Sequence, residues 1–428
     1  MKEIVIKLSD RSLKIDEDYF ILFFVKPLFL LFIYYGMYSR FEGFPGLTGG
    51  QTTVLLTFGI FCFTLFHKFI IRNDFKLTVL TVFIALYFVL SGVLPLLSWL
   101  VFQTDPLRIL RYSIEIGVTF AMFFSVYYLI RERIISLKFF IYSFAILGAI
   151  ASFQLLVSLF QEIRVQRLSG LAGLNYLGNS FAMAAFAWMM IIYGMVKEET
   201  VWIKRYAVYF SFFVVMLALL LTGTRAALIS LVVGLFLYQY LGMKSKNFKK
   251  YVLYASIGFA IIIAVIAMNV DLSLLWRRFT WAELLRMANI RFGIYASSIT
   301  DLTMMDFLFG RPEMYLFSDE DTFINPHNHF LAIIRYNGIF LFIMSIFVFV
   351  ALLYKYLALY SIHKKEERYR VFESSILILF VMVLIYTLFS GGRITRSFSF
   401  YIALGYAVGY LGLFRNLKSY REYKEMIF

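Results

Sequence analysis

Apolar residues fall along this chain in runs of about 18 to 26 positions, separated by short charged stretches. Wound as a helix rising 1.5 Å per residue, such a run crosses a hydrocarbon layer about 30 Å thick. Strands of a membrane barrel would alternate apolar and polar residues over about ten positions, and these runs do not. The pattern predicts twelve helices, over 19–38, 51–71, 77–102, 112–130, 138–161, 178–196, 204–222, 226–242, 251–269, 328–354, 373–390 and 398–414. The division between the seventh and eighth rests on the four residues "TGTR". The expected fold is an all-α polytopic membrane protein, residues 1–428 forming one integral membrane domain. One long loop, 270–326, joins spans nine and ten.

Composition agrees with this pattern. The chain is 61% hydrophobic and 16% charged, too few charges for a soluble protein of 428 residues. The first apolar run begins at Tyr19, after the polar "MKEIVIKLSDRSLKIDED", so the first span rather than a cleavable signal peptide is expected to drive insertion. The one cysteine, Cys62, lies in a span and leaves no intrachain disulfide. No repeat of fixed period and no low-complexity segment interrupts the pattern.

Charge gives the expected orientation. Simple alternation puts "RNDFK", "RERIISLK", "KEETVWIKR", "KSKNFKK" and "HKKEERYR" on one side with both termini, and that basic side is expected to be cytoplasmic. The net charge of +15 is then an orientation signal and an attraction to anionic lipid, and calls for no nucleic acid. The opposite side carries Arg40, Arg108, Arg111, Arg164, Arg167, Arg225, Arg277, Arg278, Arg286, Arg291, Arg311, Arg393 and Arg396, with Arg335 just inside span ten, and no lysine. With 23 arginines and 18 lysines in the chain, 14 arginines and no lysine would arise by chance about 3 times in 10,000, so the guanidinium fork itself is selected. Arginines that merely snorkel to lipid headgroups would explain any one of these residues. They explain the missing lysines poorly, and a polyanionic ligand on this side explains the set.

Within the long loop, Trp276, Trp281, Leu284 and Leu285 alternate with Arg277, Arg278 and Arg286 at helical spacing, which predicts amphipathic helices at the membrane surface. Arg291 is expected to begin a second helical stretch, sharing a face with Tyr295 and Ile299. Thr222, Gly223 and Thr224 turn the chain ahead of Arg225, and a helix N-terminus beside an arginine is an anion site. Arg108, Arg111 and Glu115 share one face at the start of span four, where Arg111 and Glu115 could simply pair. His327 opens span ten, and its imidazole titrates near neutrality, as a general base must. Asn328 stands beside it to orient base or substrate, while His329 points about 200° away and is expected to be a bystander. The acids Asp319, Glu320 and Asp321 are hard ligands by type, but three adjacent acids in a loop are usually solvated, and no metal is expected. A phosphate-binding G-x-x-x-x-G-K-[ST] and a G-x-S-x-G are both absent, which excludes a P-loop ATPase and a serine acyl enzyme of that type.

Four stretches carry a family resemblance in order from about residue 160 to about 410: "RLSGLAGLNYLGNS", "LLLTGTRAAL", "RFGIYASSITDLTMMDFLFG" and "PHNHFLAIIRYNGIFLFI". Together they resemble the O-antigen polymerase/ligase superfamily of bacterial membrane glycosyltransferases. The resemblance implies a GT-C-like fold and a polyprenyl-diphosphate-linked glycan donor, used without cofactor at the outer face of the inner membrane. It matches Arg225 to the family's central arginine, Arg291 to its loop arginine and His327 to its histidine. Arg164, Arg167, Arg311, Arg393 and Arg396 would join Arg225 and Arg291 around the diphosphate. The implied partners are undecaprenyl-diphosphate-linked donor and acceptor glycans, the bilayer, and a chain-length regulator. Arg335-Tyr336 departs from the family, whose members often carry an acid before the glycine.

The expected activity is therefore polymerisation of repeat units into O-antigen or capsular polysaccharide. The nearest alternative is a ligase passing the glycan to lipid A core or another final acceptor. A transporter of the same lipids is a third, which would show helices interrupted near the midplane. Only Pro27 and Pro95 lie within spans, so the sequence gives little sign of such interruption.

Overall fold

The computed structural model describes residues 3–8, 11–16, 20–38, 47–72, 79–102, 106–162, 177–197, 202–222, 224–242, 280–311, 328–363, 367–390 and 398–415. A short antiparallel hairpin, β1 (Glu3–Leu8) and β2 (Arg11–Asp16), precedes the helices in a segment expected only to be polar. The helices are α1 (Lys26–Met37, led by the π-turn Ile21–Val25), α2 (Gly49–Phe66, extended by the π-turn His67–Ile71), α3 (Val79–Phe102) and α4 (Pro106–Arg131). They continue with α5 (Leu137–Glu162), α6 (Leu177–Lys197), α7 (Trp202–Leu221) and α8 (Arg225–Leu237, extended by the π-turn Tyr238–Gly242). The rest are α9 (Trp281–Thr300), α10 (Met304–Phe309), α11 (His329–His363), α12 (Glu367–Ser390) and α13 (Phe398–Arg415). Eleven of the twelve expected spans thus have a helix, and 251–269 lies outside the described residues.

Among the described residues five helices are long and apolar enough to cross a membrane, Gly50–Ile71, Tyr112–Arg131, Leu137–Val157, Lys204–Leu221 and His329–Ser361. Burial shows which solvent they suit. In α2, Thr52, Thr53, Thr57 and Thr64 are buried, while Leu55 and Phe58 are 54% and 63% exposed. The buried hydroxyls satisfy themselves on backbone carbonyls, Thr53 on Tyr35 at 2.9 Å and Thr57 on Thr53 at 2.7 Å. A helix that turns threonine inward and phenylalanine outward is built for hydrocarbon, where a hydroxyl must find its partner within the protein. The same exposure of large apolar side chains recurs on α1, α3, α5, α7, α8 and α11. This is a helical membrane protein.

The expectation of one continuous span over 328–354 is corrected. Along a straight helix Phe330 and Phe349 would lie about 28 Å apart, yet their ring centroids are 5.4 Å apart, and those of Phe330 and Phe342 6.0 Å. The chain reverses at Gly338, whose φ of 81° and ψ of 172° lie outside the helical region. Helix α11 is thus a hairpin of a short limb, 329–337, and a long limb, 339–363. The long limb alone suffices to cross a membrane. The second correction concerns Arg291, which begins no separate helix and sits in the middle of α9.

Candidate functional site

Packing registers show where the helices begin relative to one another. Helices α4 and α13 run parallel in tight contact: a Cβ on Gly405 would lie 2.6 Å from the Phe123 carbonyl oxygen, and one on Gly409 2.8 Å from that of Tyr127. This register sets Phe398 level with Ile116, so α4 rises about 15 Å beyond the start of α13. The long limb of α11 also runs parallel to α13, with Phe349 against Phe400 at 5.7 Å and the Tyr356 hydroxyl donating to the Ala407 carbonyl at 2.8 Å. It therefore overtops Phe400 by about ten residues, again about 15 Å. Helix α5 passes Ala184 of α6 at Gly148 and continues to Glu162, beyond the start of α6.

Between these taller walls, four helices start at a common recessed level. The Asn179 amide of α6 donates to Ser399 Oγ of α13 at 2.7 Å. Gly178 of α6 lies so close to Thr224, the N-cap of α8, that a Cβ there would be 2.7 Å from its side chain. His329 at the start of α11 packs on Phe400 at 4.9 Å. The N-termini of α6, α8 and α13 therefore open on one floor, while the short limb of α11 starts at the same level and rises from it, its own N-terminus facing the other way.

Each N-terminus carries roughly half a positive charge from its aligned peptide dipoles. None of the four first turns holds an acidic residue to offset it. At α8 the Thr224 side chain does not cap the helix; its hydroxyl donates instead to the Thr222 carbonyl at 3.5 Å. Arg225 is the first residue of that helix and is half-buried. A floor of this kind attracts an anion with several oxygens, and it repels cations.

At α11 the N-terminus is closed by its own side chain. Asn328 Oδ1 accepts from the Phe330 and Leu331 amides at 2.9 and 3.1 Å. Asn328 was expected to orient His327 or a substrate; its Oδ1 caps the helix, which leaves Nδ2 as the group that could do so. His329, expected to be a bystander, is buried and lines a small cavity with Tyr87, Ser345, Phe400 and Tyr401.

The described part of the long loop packs on α11. Helix α9 packs on α11 and turns Met287, Arg291, Ile294 and Ser298 toward the protein, while Trp281, Leu285, Phe292 and Ile299 form an exposed apolar stripe on another side. A stripe led by tryptophan suits the membrane surface, as the spacing implied. Arg291 is thus aimed inward. Arg286 is held by Glu283 through two hydrogen bonds of 2.8 and 2.7 Å, which raise its guanidinium pKa further, so an intrahelical pair accounts for this arginine. Arg311, after α10, lies 3.9 Å from Asp306, and its backbone N–H donates to the Arg335 carbonyl at 2.8 Å.

The structure accordingly puts Arg225 at the floor, and Arg291 and Arg311 on the loop segments that pack on α11. His327, Arg164, Arg167, Arg393, Arg396 and the acids Asp319 to Asp321 lie outside the described residues. In sequence, however, His327 directly precedes Asn328, and Arg396 comes two residues before Phe398, so both adjoin floor helices. Asn179 and Ser399, which tie two of those helices together, carried no signal beyond being polar residues at the edge of apolar runs. Comparison with protein-family models and with curated proteins finds no match for this chain.

Proposed function

We propose that this protein is a GT-C-like membrane glycosyltransferase of twelve spans, with both termini cytoplasmic, that polymerises polyprenyl-diphosphate-linked oligosaccharide repeats. The observation that carries the reading is the recessed floor on which the N-termini of α6, α8 and α13 open, with Arg225 at one of them. A lipid-linked diphosphate offers what such a floor binds: several anionic oxygens, held at the end of a chain that stays in the bilayer.

The chemistry follows from that placement. The acceptor sugar hydroxyl attacks the anomeric carbon of the donor, and its proton passes to His327. The bond from the anomeric carbon to the phosphate oxygen breaks, and the diphosphate leaves with the electron pair. Negative charge grows on the leaving diphosphate, so Arg225 and the α8 amides bind the transition state more tightly than the ground state. Arg291, directed inward from α9, would close over the same charge. No nucleotide enters the scheme, and the arginines carry the charge that a metal would otherwise offset.

The test is reconstitution. Purified protein given lipid-linked repeats should lengthen them without nucleotide. Transfer only to lipid A core or another final acceptor would mean the ligase, with long free chains retained on the carrier lipid when the gene is deleted. The chain reversal at Gly338 favours a second reading, since transporters also use interrupted helices. Movement of the lipid across a liposome bilayer with no lengthening would establish that reading and defeat the enzyme.

A further inference from the structure

The short limb of α11 ends in a polar group that the scheme above does not use. Asn337 is 1% exposed, and its Oδ1 accepts from the Tyr112 hydroxyl of α4 at 2.9 Å. Among the described residues its Nδ2 is buried and has no hydrogen-bond partner. A buried donor without an acceptor is costly, and native structures retain few of them without a use.

One short segment packs on the backbone of this turn. A Cβ on Gly310 would clash with the backbone nitrogen of Asn337 and the carbonyl of Tyr336, and one on Gly338 with the Leu308 carbonyl. The backbone of 304–311 is therefore seated directly on the backbone of the chain reversal. It contains α10, only six residues long and too short to be stable by itself. The bond from Arg311 N–H to the Arg335 carbonyl and the ring contact of Phe309 with Phe340 at 6.5 Å hold it down. Its outer side is exposed, Met304 at 71%.

We propose that Asn337 is the base of a glycan subsite, uncovered when the 304–311 flap lifts, where Nδ2 donates to an oxygen of the sugar carried by the diphosphate substrate. The inference rests on the diphosphate reading above. Position favours the sugar over the diphosphate: Asn337 stands eight residues, about 12 Å, beyond His329 on the limb that rises from the floor. With the diphosphate on the floor and the lipid in the bilayer, the glycan is the part that reaches this height. Chemistry agrees, because a neutral amide donor suits a hydroxyl, carbonyl or carboxylate oxygen and adds no charge. Tyr112 is the positioning residue that fixes the amide.

The experiment compares two probes on the full-length protein in nanodiscs: undecaprenyl diphosphate, and the diphosphate-linked oligosaccharide extracted from cells lacking this protein. Wild type should bind the glycosylated lipid more tightly. The double variant Asn337→Leu/Tyr112→Phe replaces both partners by apolar groups of similar size, so it should fold with unchanged thermal stability. It should bind the bare lipid like wild type and lose roughly three- to ten-fold on the glycosylated one, the worth of one hydrogen bond. Locking the flap with a short bismaleimide between Phe309→Cys and Phe340→Cys, in a Cys62→Ser background, should cause the same selective loss. A full glycan preference in the double variant, or with the flap locked, overturns the subsite. Equal binding of both probes by wild type also overturns it. Binding of neither probe defeats the diphosphate reading itself, a distinct result.

Discussion

Replacing Gly338 by alanine separates the hairpin from a straight helix by the sign of the effect. In a straight helix a glycine-to-alanine change stabilises by up to about 1 kcal/mol. In the hairpin, φ of 81° with ψ of 172° is open almost only to glycine, and another residue held there costs about 1–3 kcal/mol. The new methyl would also lie 2.2 Å from the Leu308 oxygen and 2.7 Å from its carbon. Those are backbone atoms that no rotamer change can clear, so overpacking adds about 1–3 kcal/mol. The expected loss is about 2–6 kcal/mol, borne by the limb 329–337 and the flap 304–311. Gly293 is the control: it sits mid-helix in α9 with nothing within 4 Å of a Cβ, so alanine there should stabilise slightly. Thermal unfolding in nanodiscs and limited proteolysis over 280–311 would measure both. A Gly338→Ala protein with wild-type melting and wild-type protease resistance would show that the chain runs straight through 338, and the site built on the hairpin would fall with it.

Four further outcomes follow from the same geometry. Arg225→Lys should insert normally and lose chain elongation, because an ammonium cannot hold two phosphate oxygens side by side; full activity would remove the bidentate argument. Asn328→Ala should cost about 1 kcal/mol through loss of the α11 cap, and Asn328→Asp or Ser should retain most of it, as melting curves would show. His327→Ala should abolish elongation while the protein still inserts, and retained elongation would exclude it as the base. A chelator should leave elongation intact, and loss restored by Mg²⁺ would transfer the role of the arginines to Asp319–Asp321.

Periodicity exposed the helices because length and apolarity are local properties, and even the four-residue junction "TGTR" was legible from its turn residues. The reversal in α11 was not, although its signal was present. "RYNG" contains Asn-Gly, a turn dipeptide, but within a run apolar enough to span a membrane its weight was overridden by hydropathy. Only the contact of Phe330 with Phe349 decides between the two, and that contact is not local. Asn179 with Ser399, and Tyr112 with Asn337, are hidden for the same reason, since each pair joins helices more than 200 residues apart.

The hairpin also changes what the arginine-only side means. In a flat outer surface, 14 arginines would be screened by water and salt, and each would bind phosphate weakly. A floor about 15 Å below the tops of α4 and the long limb of α11 sets Arg225 and the N-termini of α6, α8 and α13 between low-dielectric walls. There each hydrogen bond to an oxyanion is stronger, and a lysine's bulky hydration shell would be harder to shed than that of a guanidinium. An arginine rather than a lysine at position 225 is thus what a recessed anion site demands. If the recess matters in this way, Arg225→Lys should remain inactive at low ionic strength, where a surface lysine would recover its attraction for phosphate.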